Sequence, residues 1–512
     1  MPGPRRVATR ERADMAGITK PQPQKGNESA AGEAVAASAC DGLTQQPGNA
    51  CAPGSGQNAH ANAADADDAR GKPSTFANSA GAGCEHDADD ARFMRRAIEL
   101  AWRGAGWTNP NPLVGCVIVR EGRVIGEGWH ERYGQAHAER NALADCALRS
   151  GQGASGQPAS PDDAAHGCAQ GATAYVTLEP CCHTGKQPPC TEALIAAGIA
   201  RVVVGSRDPN PLVAGKGCEA LRAAGIRVDA DVLRAACDEL NSVFFHFITH
   251  KTPYVVAKWA MSADGKIACA SGDARWITGP EARVDVHELR HRLAAICVGI
   301  GTVLADDPLL TCRRDTPGSQ PVRVVLDSRL RIPEDCALVR SCSEGAAPLI
   351  VATCAPVADE ASPEAAKAKR LASRGVEVFS VAPDAAGRVS VSHLLAMLGS
   401  CGIDSLLVEG GAGVLAAFFE AGAVNEAVAY MAPKVIGGAG APSPVAGKGA
   451  PRMADAVALG HATSDVLGDD VKLMFAPAGA ARVASQTRIA RKAAGDWRAS
   501  AAEGGAPCSP AS

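Results

Sequence analysis

The sequence predicts an α/β protein built from two folded domains, with a disordered tail at each end. Its 512 residues are too many for one ordinary domain. Between the tails, short runs rich in β-branched residues alternate with stretches of helical periodicity, as in layered α/β domains. This alternation stops over residues 240–252, where several phenylalanines precede a proline. We expect the two domains to meet there.

The two tails are predicted from their composition. Residues 1–89 are rich in Ala, Gly, Asp, Asn and Gln, and Phe76 is their only aromatic residue. Such a low-complexity extension cannot bury enough apolar surface to offset the entropy that ordering removes. Residues 479–512 carry scattered basic side chains without an apolar period. Both segments are therefore expected to be disordered.

The first predicted domain spans residues 90–240. An amphipathic helix that begins near Asp90 is followed by two β-rich runs around Glu121-Gly122, a pattern typical of a hairpin. Residues 149–171 are rich in Ser, Gly, Pro, Asp and Ala and are predicted to be a loop insertion. The other elements predicted here are a helix over 137–148, a strand over 174–178, a helix over 191–197 and a strand over 201–204.

The second predicted domain spans residues 250–478 and is also of the α/β class. Its strand candidates are residues 254–260, 295–303, 323–326, 349–352, 376–381, 405–408 and 426–432. Its helix candidates are residues 280–293 and 415–421. We expect the phenylalanines between the two domains to pack against both of them rather than to take part in chemistry.

Charge and cysteine usage limit the kinds of partner and compartment. A net charge of -4 and a pI of about 6.3 give no indication of a polyanionic partner. The 19 cysteines lack framework spacing, which favours reduced thiols in an intracellular protein. The sequence has no apolar run long enough for a membrane span, and Met1 is followed by no apolar signal region. We expect a cytoplasmic protein that binds neither nucleic acid nor membrane.

Four residues in a fixed order predict a catalytic zinc site. His137 stands two residues before Glu139, and Cys181, which follows a proline, precedes Cys190. One imidazole and two thiolates leave the fourth position of a tetrahedral zinc ion open, as in catalytic sites. Zinc lowers the pKa of water to roughly 7, and Glu139 is the expected proton carrier rather than a ligand. Such a site attacks a carbon that bears an amine, so the pattern predicts hydrolytic deamination.

Other interpretations of these residues stay open. A lone His-x-Glu pair usually belongs to a surface helix, and eight residues separate Cys181 from Cys190 where Cys-x-x-Cys is the common deaminase spacing. Cys182 is a competing ligand, although adjacent side chains point apart. The order of the residues and the proline before Cys181 favour the deaminase interpretation. We expect both cysteines to lie at or beside helix starts, where N–H groups stabilise thiolates.

Glycine-containing turns follow several strand candidates of the second domain. Open α/β sheets bind ligands at such strand ends, where backbone N–H groups can approach a pyrophosphate. The turn Gly410-Gly411-Ala412-Gly413 does not match the Rossmann fingerprint, and a glycine-rich turn is more often only a turn. From the residues alone, nucleotide binding by this domain therefore stays open.

Several motifs together resemble those of one enzyme family. They are Asn109-Pro110-Asn111-Pro112-Leu113-Val114-Gly115, His137-Ala138-Glu139, Thr177-Leu178-Glu179-Pro180-Cys181-Cys182-His183-Thr184-Gly185-Lys186-Gln187-Pro188-Pro189-Cys190, Asp208-Pro209-Asn210-Pro211 and Gly215-Lys216-Gly217. They look like the deaminase half of the bifunctional riboflavin-biosynthesis deaminase–reductase family, in which eight residues also separate the two cysteines. The resemblance covers about residues 90–478.

For the first domain, the resemblance implies a cytidine-deaminase-like three-layer fold. The implied reaction is hydrolytic deamination of 2,5-diamino-6-(5-phosphoribosylamino)pyrimidin-4(3H)-one to 5-amino-6-(5-phosphoribosylamino)uracil. The implied zinc ligands, for one ion per chain, are His137, Cys181 and Cys190, with Glu139 as the proton shuttle. The suggested substrate contacts are Asn111, His130, His183 and Lys186. Without the family, a turn asparagine and solvated polar side chains would be the simpler interpretation of these four.

For the second domain, the resemblance implies a dihydrofolate-reductase-like fold that uses NADPH to reduce the ribosyl side chain to ribityl. The product would be 5-amino-6-(5-phosphoribitylamino)uracil. The implied dinucleotide contacts are Ala260, Trp276, Thr302, Asp306, Ser328, Gly411, Ala412, Gly413, Val414, Leu415, Ala416 and Ala417. The implied substrate contacts are Ala274, Arg290, Leu310, Arg313 and Glu409, and Lys258 and Asp264 are candidates to position or polarise the sugar carbon. Ala274 departs from the family pattern, in which serine is frequent.

Two further functions are weighed against this one. A nucleic-acid base deaminase fused to an unrelated α/β domain would share the zinc chemistry. It would need a basic, aromatic-lined surface, and the aromatic residues Trp102, Trp107 and Trp129 are not accompanied by a stripe of lysine and arginine. A non-catalytic module on a decayed enzyme scaffold is disfavoured by the complete ligand set. The family implies a phosphorylated pyrimidine as the small-molecule partner, and we expect a homo-oligomer.

Overall fold

The computed structural model describes residues 83–151, 167, 169–184, 187–210 and 213–477, with side chains from residue 88 onward except at residue 461. Most of the predicted N-terminal tail, all of the predicted C-terminal tail and most of the predicted insertion lie outside these residues. The chain from Gly81 onward forms one compact unit. Within the described part of the chain, no helix is both long and apolar enough to cross a membrane.

Five strands form the first sheet. They are β1 (Gly115–Arg120), β2 (Arg123–Trp129), β3 (Thr173–Leu178), β4 (Arg201–Ser206) and β5 (Arg227–Asp229). The order across the sheet is β2-β1-β3-β4-β5. β1 pairs antiparallel with β2 and β3, whereas β3, β4 and β5 are parallel. The predicted hairpin is confirmed, and Glu121 and Gly122 form its turn with φ angles of 51° and 72°.

Helices cover both faces of this sheet. They are α1 (Gly83–Trp102), α2 (Ala138–Arg149), α3 (Cys190–Ala196), α4 (Lys216–Ala223) and α5 (Arg234–Leu240). One core joins α2, α3 and α4 to the sheet, and a second core joins α1 and α5 to its other face. The three-layer arrangement follows from these two cores. The first helix begins upstream of Asp90, where the sequence analysis places the start of the domain.

A buried polar cluster ties α1 to the sheet. The Asp90 carboxylate accepts hydrogen bonds from Arg201 Nη1 and Nη2 at 2.8 and 2.6 Å. It also accepts one from the Tyr175 hydroxyl at 2.8 Å. Asp90 is 7% exposed, so this carboxylate is removed from water and depends on its partners.

The chain between the two sheets is helical where the sequence pattern breaks. It forms α6 (Ser242–His250), whose residues are all half-buried or exposed. Val243 packs into the core that α6 shares with the second sheet. Phe244 lines a cavity between the two domains, and the expected packing of the other phenylalanines there stays a prediction.

Nine strands form the second sheet. They are β6 (Tyr254–Ser262), β7 (Ala295–Gly299), β8 (Val322–Leu326), β9 (Leu349–Thr353), β10 (Val376–Ser380), β11 (Ser405–Gly410), β12 (Glu426–Ala432), β13 (Leu459–Leu467) and β14 (Asp470–Pro477). The order is β10-β9-β8-β7-β11-β6-β12-β14-β13. All pairs from β10 to β12 are parallel, and β14 and β13 add an antiparallel edge.

Helices pack on both faces of the second sheet as well. They are α7 (Pro280–Arg292), α8 (Ile300–Asp306), α9 (Ala337–Ser343), α10 (Pro363–Ala372), α11 (Val391–Ser400) and α12 (Ala412–Glu420). A single 3-10 turn follows at Met453–Asp455. The largest core lies under α11 and α12, and a second lies under α8, α9 and α10.

Two predicted elements of this domain have different bounds in the structure. The strand predicted over residues 295–303 ends at Gly299, and its last part begins α8. Ile300 and Val303 are both buried and three residues apart, so one apolar run covers a strand and the buried face of a helix. α12 begins at Ala412, earlier than predicted, because Gly411 takes a φ of 76° and starts the helix as its N-cap.

Candidate active sites

Three side chains that the sequence predicts as zinc ligands meet beside the first sheet. His137 is the N-cap of α2, Cys190 is the first residue of α3, and Cys181 follows β3. His137 Nδ1 lies 3.6 Å from Cys181 Sγ and 3.4 Å from Cys190 Sγ. The three ligand atoms all lie within 4.8 Å of one another, so they can share one ion.

The spacing and chemistry of these atoms fit a tetrahedral zinc ion. Zn–S bonds of about 2.3 Å and Zn–N bonds of about 2.0 Å place a sulfur and a nitrogen ligand about 3.5 Å apart. The observed separations of 3.4 and 3.6 Å agree with this value. Hydrogen bonds from Cys190 and His137 lower the pKa of the Cys181 thiol to about 4 despite its burial. Cys181 is therefore a thiolate at neutral pH, the form that binds a metal.

The start of α3 helps to hold that thiolate. The backbone N–H of Cys190 donates to Cys181 Sγ at 3.4 Å, and the N–H of Thr191 donates to the Cys181 carbonyl oxygen at 3.2 Å. Cys190 lies at the helix start and Cys181 lies against it, as the sequence analysis expects. The positive end of the helix dipole thus faces the sulfur.

Glu139 lies in the first turn of α2, next to the ligand set. Its residue is 3% exposed, and its carboxyl group interacts with the Cys190 thiol. Burial raises the pKa of Glu139, and the Cys181 thiolate raises it further. A buried carboxyl group with a raised pKa beside the ligand set has the chemistry of a general acid or base.

Asn111 and His130 lie beside the ligands. His130 Nδ1 donates to the Ala136 carbonyl oxygen at 3.0 Å, which leaves Nε2 as an acceptor for Asn111 Nδ2 at 3.3 Å. The His130 ring lies 5.3 Å from the His137 ring, centroid to centroid. Burial lowers the pKa of His130, so this imidazole is neutral and fixed in one tautomer.

The remaining predicted substrate contacts differ in position. His183 is exposed, and Lys186 lies outside the described residues. Asp208, which the sequence analysis notes only as part of a matching motif, is 8% exposed and lies near His183 and Cys181. Burial raises the pKa of Asp208 to about 6, and the Glu179 carboxylate adds to the effect. A buried aspartate with a raised pKa near Cys181 is a candidate functional residue that spacing alone does not indicate.

Glu179 positions the segment that carries Cys181. Its Oε2 accepts from the N–H of Gly215 at 3.0 Å, and its Oε1 accepts from the N–H of Cys218 at 3.1 Å. A Cβ atom at Gly217 would lie 2.1 Å from the Pro180 carbonyl oxygen. Only glycine therefore permits the close approach between α4 and this segment.

The predicted dinucleotide contacts gather at one edge of the second sheet. Ala260 lies near the carboxyl end of β6, and Thr302, Ser328 and Gly411 follow β7, β8 and β11. These four strands are neighbours in the order β8-β7-β11-β6. The carboxyl edge of a parallel sheet is where α/β domains bind ligands. The structure thus brings together residues that are far apart in the sequence.

The start of α12 fits a phosphate group. Gly411 has a φ of 76°, and a Cβ atom at Gly413 would meet no atom within 4 Å, so the turn is open. A Cβ atom at Gly410 would lie 3.2 Å from Thr302 Oγ1, which places the β7 and β11 turns against each other. Leu415 and Ala416 are buried in the core, so their side chains do not face this opening. Backbone N–H groups at the helix start are the available anion ligands.

A cluster of three charged side chains lies between β6, β11 and α7. Arg290 Nε and Nη2 donate to the two carboxylate oxygens of Glu409 at 2.8 and 2.7 Å. Lys258 Nζ lies 3.9 Å from Glu409 Oε2. Burial alone would raise the pKa of Glu409, but Arg290 and Lys258 hold it at about 2. Burial lowers the pKa of Lys258, which is only partly offset by Glu409.

Three further polar residues, which the sequence did not indicate, lie next to this cluster. The Tyr430 hydroxyl donates to Asp285 Oδ2 at 2.6 Å, and Lys472 forms an ion pair with the same oxygen. Lys258 Nζ lies 5.6 Å from the centre of the Tyr430 ring. The three new residues come from α7, β12 and β14, so no local pattern in the sequence connects them.

Asp264 and Trp276, two other predicted residues, differ in their surroundings. Asp264 accepts from the Ser262 hydroxyl at 2.5 Å and from the N–H groups of Ile436 and Gly437 at 3.1 and 2.7 Å. These hydrogen bonds lower the pKa of Asp264 to about 2. The Trp276 side chain is 65% exposed, and the Arg283 guanidinium lies 4.7 Å from its ring centre.

The remaining predicted substrate and cofactor contacts of this domain differ in how exposed they are. Ala274, Asp306 and Arg313 are exposed. Leu310 is 4% exposed and has a φ of 52°. Arg313 is the cation among these four residues: its Nη1 donates to the Thr311 hydroxyl at 3.2 Å, and its backbone N–H donates to His287 Nδ1 at 3.2 Å.

Comparison with known families agrees with the two-domain arrangement. Residues 87–206 match the family described as the cytidine and deoxycytidylate deaminase zinc-binding region. Residues 253–473 match the RibD C-terminal domain. The first range contains the predicted zinc ligands and Glu139, and the second contains the charged cluster and the glycine turn.

Curated relatives and solved structures cover most of the chain. The chain is 46% identical over 386 residues to riboflavin biosynthesis protein RibD of Actinobacillus pleuropneumoniae, covering 75% of this chain and 95% of that protein. It is 39% identical over 360 residues to RibD of Escherichia coli, covering 68% and 89%. Acinetobacter baumannii RibD is similar in structure with a TM-score of 0.64 and 36% identity, covering 77% and 99%.

A second solved relative comes from Thermotoga maritima. It has a TM-score of 0.63 and 35% identity, and the match covers 77% of this chain and 99% of that one. Its description is a diaminohydroxyphosphoribosylaminopyrimidine deaminase/5-amino-6-(5-phosphoribosylamino)uracil reductase. Long matches at this identity, together with a zinc-type ligand set on the first sheet and an open glycine turn on the second, lead to one conclusion. The chain belongs to the RibD family of bifunctional deaminase–reductases of riboflavin biosynthesis.

Proposed function

We propose that the first domain converts 2,5-diamino-6-(5-phosphoribosylamino)pyrimidin-4(3H)-one to 5-amino-6-(5-phosphoribosylamino)uracil. The second domain then reduces that product to 5-amino-6-(5-phosphoribitylamino)uracil. The observation that supports this proposal best is the grouping of one imidazole nitrogen and two sulfurs within 4.8 Å. The buried Glu139 carboxyl group lies directly beside them. The Thermotoga maritima relative is described by the same two activities.

Each deaminase residue has a distinct proposed role. His137 Nδ1, Cys181 Sγ and Cys190 Sγ would hold one zinc ion per chain. When bound, zinc makes water acidic enough to supply hydroxide at neutral pH. Glu139 takes up the proton that the attacking water loses and delivers it to the departing nitrogen, which leaves as ammonia. Its raised pKa suits both halves of this transfer.

Asn111 and His130 are proposed to bind the pyrimidine. The Asn111 amide can donate to and accept from a ring edge, and its contact with His130 fixes its orientation. His130 stays neutral because it is buried, so it offers a hydrogen bond without adding a charge beside the zinc ligands. His183 and Lys186 would take the sugar and phosphate, and His183 interacts electrostatically with the buried Asp208.

The second domain is proposed to hold NADPH along the carboxyl edge of its sheet. The open start of α12 would receive the pyrophosphate, and Ala260, Thr302 and Ser328 would line the rest of the dinucleotide. When bound, NADPH supplies the hydride that reduces the sugar. Trp276 and Asp306 would close the exposed side.

Lys258 is the proposed proton donor of the reduction. As C1′ of the sugar gains a hydride, its bond to the ring oxygen breaks, and that oxygen needs a proton. Lys258 Nζ can supply it, since burial lowers the pKa of this ammonium group. Glu409 stays ionised beside it, held by Arg290, and can accept a hydrogen bond from the sugar hydroxyls. Arg313 is proposed to bind the 5′-phosphate.

Mass spectrometry of the reaction tests both steps. The purified chain is incubated with the diaminopyrimidinone phosphate, with and without NADPH. We expect a gain of about one mass unit without NADPH, because an amine is replaced by an oxygen. A further gain of about two mass units should require NADPH, because two hydrogens are added. No mass change without NADPH would contradict the deaminase assignment, and reduction that precedes deamination would contradict the proposed order.

Metal analysis tests the ligand set. We expect one zinc ion per purified chain and loss of that ion in Cys190→Ser. Cys182→Ser is the matched control, because Cys182 is half-buried next to Cys181 but is outside the ligand group. Zinc loss in the control instead would show that Cys182 is a ligand. Light scattering of the same samples would test the expected homo-oligomer.

A further inference from the structure

The deaminase substrate segment lies against the reductase domain. Residues 104–113 connect α1 to β1 and carry Asn111 near their end. On one side, a Cβ atom at Gly104 would lie 2.3 Å from the His130 carbonyl oxygen. On the other side, a Cβ atom at Gly106 would lie 2.4 Å from the His291 carbonyl oxygen of α7. The segment is therefore held between the deaminase site and the second domain.

The most specific contact across this boundary is between Asn109 and Asp404. Asn109 Nδ2 lies 3.0 Å from both carboxylate oxygens of Asp404. Asp404 is 2% exposed and immediately precedes β11. Its carboxylate also accepts from the Ser405 hydroxyl at 2.7 Å, and its carbonyl oxygen accepts from the Tyr254 N–H at 2.7 Å. The anchor is thus fixed to two strands of the second sheet.

Other contacts also cross this boundary: the Trp107 and His291 rings lie 5.3 Å apart, and the Arg292 guanidinium lies 4.7 Å from the Trp102 ring centre. A cavity of about 90 Å³ separates the two domains beside Asn109. Its lining includes Asn111 on one side and Asp404, Glu426 and Lys472 on the other. Close packing at Gly104 and Gly106 fixes the start of the segment, and the Asn109–Asp404 hydrogen bonds fix the part that borders the cavity.

The same segment is continuous with the proposed pyrimidine contacts. The N–H of Asn111 donates to the Thr108 carbonyl oxygen at 2.7 Å, which places Asn109 inside a tight turn with Asn111. The Asn111 side chain then donates to His130 Nε2 at 3.3 Å. A displacement of Asn109 would therefore move Asn111 and change its geometry with His130.

We propose that Asn109 and Asp404 are positioning residues for the deaminase, through which the reductase domain holds Asn111 in place for the pyrimidine. This inference rests on the proposed role of Asn111 as a substrate contact. Neither residue touches the substrate. The deaminase site is then complete only when the second domain is docked, although the two reactions use separate sites.

Exchange of the two side chains tests the inference in the full-length enzyme. Asn109→Asp places a second carboxylate against Asp404, while Asp404→Asn leaves one acceptor oxygen for Asn109. In the double variant, the amide at position 404 can donate to the carboxylate at position 109, so the hydrogen bond is restored with reversed polarity. The measurements are KM and kcat for ammonia release, zinc content, and NADPH oxidation with the deaminated substrate.

We expect Asn109→Asp to raise the KM for the diaminopyrimidinone about tenfold, because small misplacements of binding groups have effects of that size or larger. Zinc content should be unchanged and kcat should change less than KM. Asp404→Asn should have a smaller effect, and the double variant should recover most of the wild-type KM. NADPH oxidation should be unchanged in all three, because Asp404 and Glu409 lie at opposite ends of β11.

Three results would overturn the inference: an unchanged KM in Asn109→Asp, a double variant no better than Asn109→Asp, or an equal loss of NADPH oxidation. Asn111→Ala separates this inference from the proposed contact. If Asn111→Ala raises KM but Asn109→Asp does not, the positioning inference alone is wrong. If Asn111→Ala leaves KM unchanged, the proposed pyrimidine contact is wrong, and the inference is overturned with it.

Discussion

The two candidate sites are assembled in different ways. The deaminase ligands and Glu139 all lie between residues 137 and 190, at or beside the starts of α2 and α3. The reductase cluster draws Lys258 from β6, Arg290 from α7 and Glu409 from β11. Residues close together in the sequence form the first site, whereas the second site forms because β6 and β11 pair and α7 packs against them. A short motif can therefore indicate the first site but not the second.

The two sites also treat a buried carboxyl group in opposite ways. Burial and the Cys181 thiolate raise the pKa of Glu139, so its proton can move during the reaction. Arg290 and Lys258 hold the pKa of Glu409 at about 2, so this carboxylate stays charged. The number of neighbouring cations decides the difference. One carboxyl group is suited to proton transfer and the other to orienting its neighbours.

The largest expected effect of a single change is at Glu139. Glu139→Gln keeps the shape of the side chain but removes the proton carrier, so kcat for ammonia release should fall by about 10³-fold or more. NADPH oxidation with the deaminated substrate should be unchanged, which a coupled assay at saturating substrate can measure. The matched control is Glu192→Gln, an exposed glutamate in the first turn of α3. Loss of both activities in folded Glu139→Gln would contradict two separate sites.

A smaller effect is expected at Lys258. Lys258→Met keeps the length of the side chain but removes the proposed proton donor, so kcat for NADPH oxidation should fall by about 10²-fold. Ammonia release should be unaffected. Lys369→Met removes a lysine from α10 whose side chain is 70% exposed, and it serves as the control. If Lys258→Met raises only the KM for the sugar phosphate, Lys258 binds substrate and does not donate the proton.

Much of the fold could be predicted because its determinants are local. The Glu121-Gly122 turn, the start of α2 after His137 and the start of α7 at Pro280 are each indicated by residues within one or two turns of chain. The β13–β14 edge was not predicted, because the sequence of β13 shows no alternation of apolar and polar residues that would indicate a strand. Its position depends on pairing with β14 rather than on its own composition.

The same distinction applies to the sites. The zinc motif can be recognised in the sequence because its ligands follow one another in a fixed order and lie near helix starts. The Asn109–Asp404 contact joins residues 295 positions apart, and the Tyr430–Asp285 hydrogen bond joins residues 145 positions apart. Contacts of this kind depend on how two domains dock or how strands order, which no local spacing encodes. The individual substrate and cofactor contacts named from the sequence stay predictions.

The Asp90 cluster provides a stability test for the first domain. Asp90→Asn removes the charge that faces the Arg201 guanidinium, and we expect a loss of about 2 kcal/mol in the free energy of unfolding. Urea denaturation monitored through the release of zinc would report on the unfolding of this domain. Asp89→Asn is a matched control, because Asp89 is exposed and pairs with the exposed Arg92 at 3.4 Å. Equal losses in both variants would show that burial of the Asp90 pair is unimportant.

The smallest expected effect is a pH dependence carried by His246. Burial lowers the pKa of His246 to about 4, and the stacked His250 ring, 4.5 Å away, adds to the effect. In the unfolded chain, a histidine has a pKa of about 6.5. Between these values, the unfolded chain binds a proton that the folded chain does not. The contribution of this residue to stability is therefore fully present above pH 6.5 and is lost as the pH drops towards 4, and it is reduced by the partial exposure of the ring to solvent.

Replacement of His246 by a side chain that does not titrate tests this dependence. His246→Gln should flatten the loss of stability between pH 6.5 and 5, as measured by the midpoint of urea unfolding at each pH. Part of the slope should remain, because burial also lowers the pKa of His287 to about 4. His393→Gln, at an exposed position on α11, should keep the full wild-type slope. If His246→Gln keeps it as well, acid destabilisation comes from elsewhere, and protonation of the zinc thiolates in the first domain becomes the better explanation.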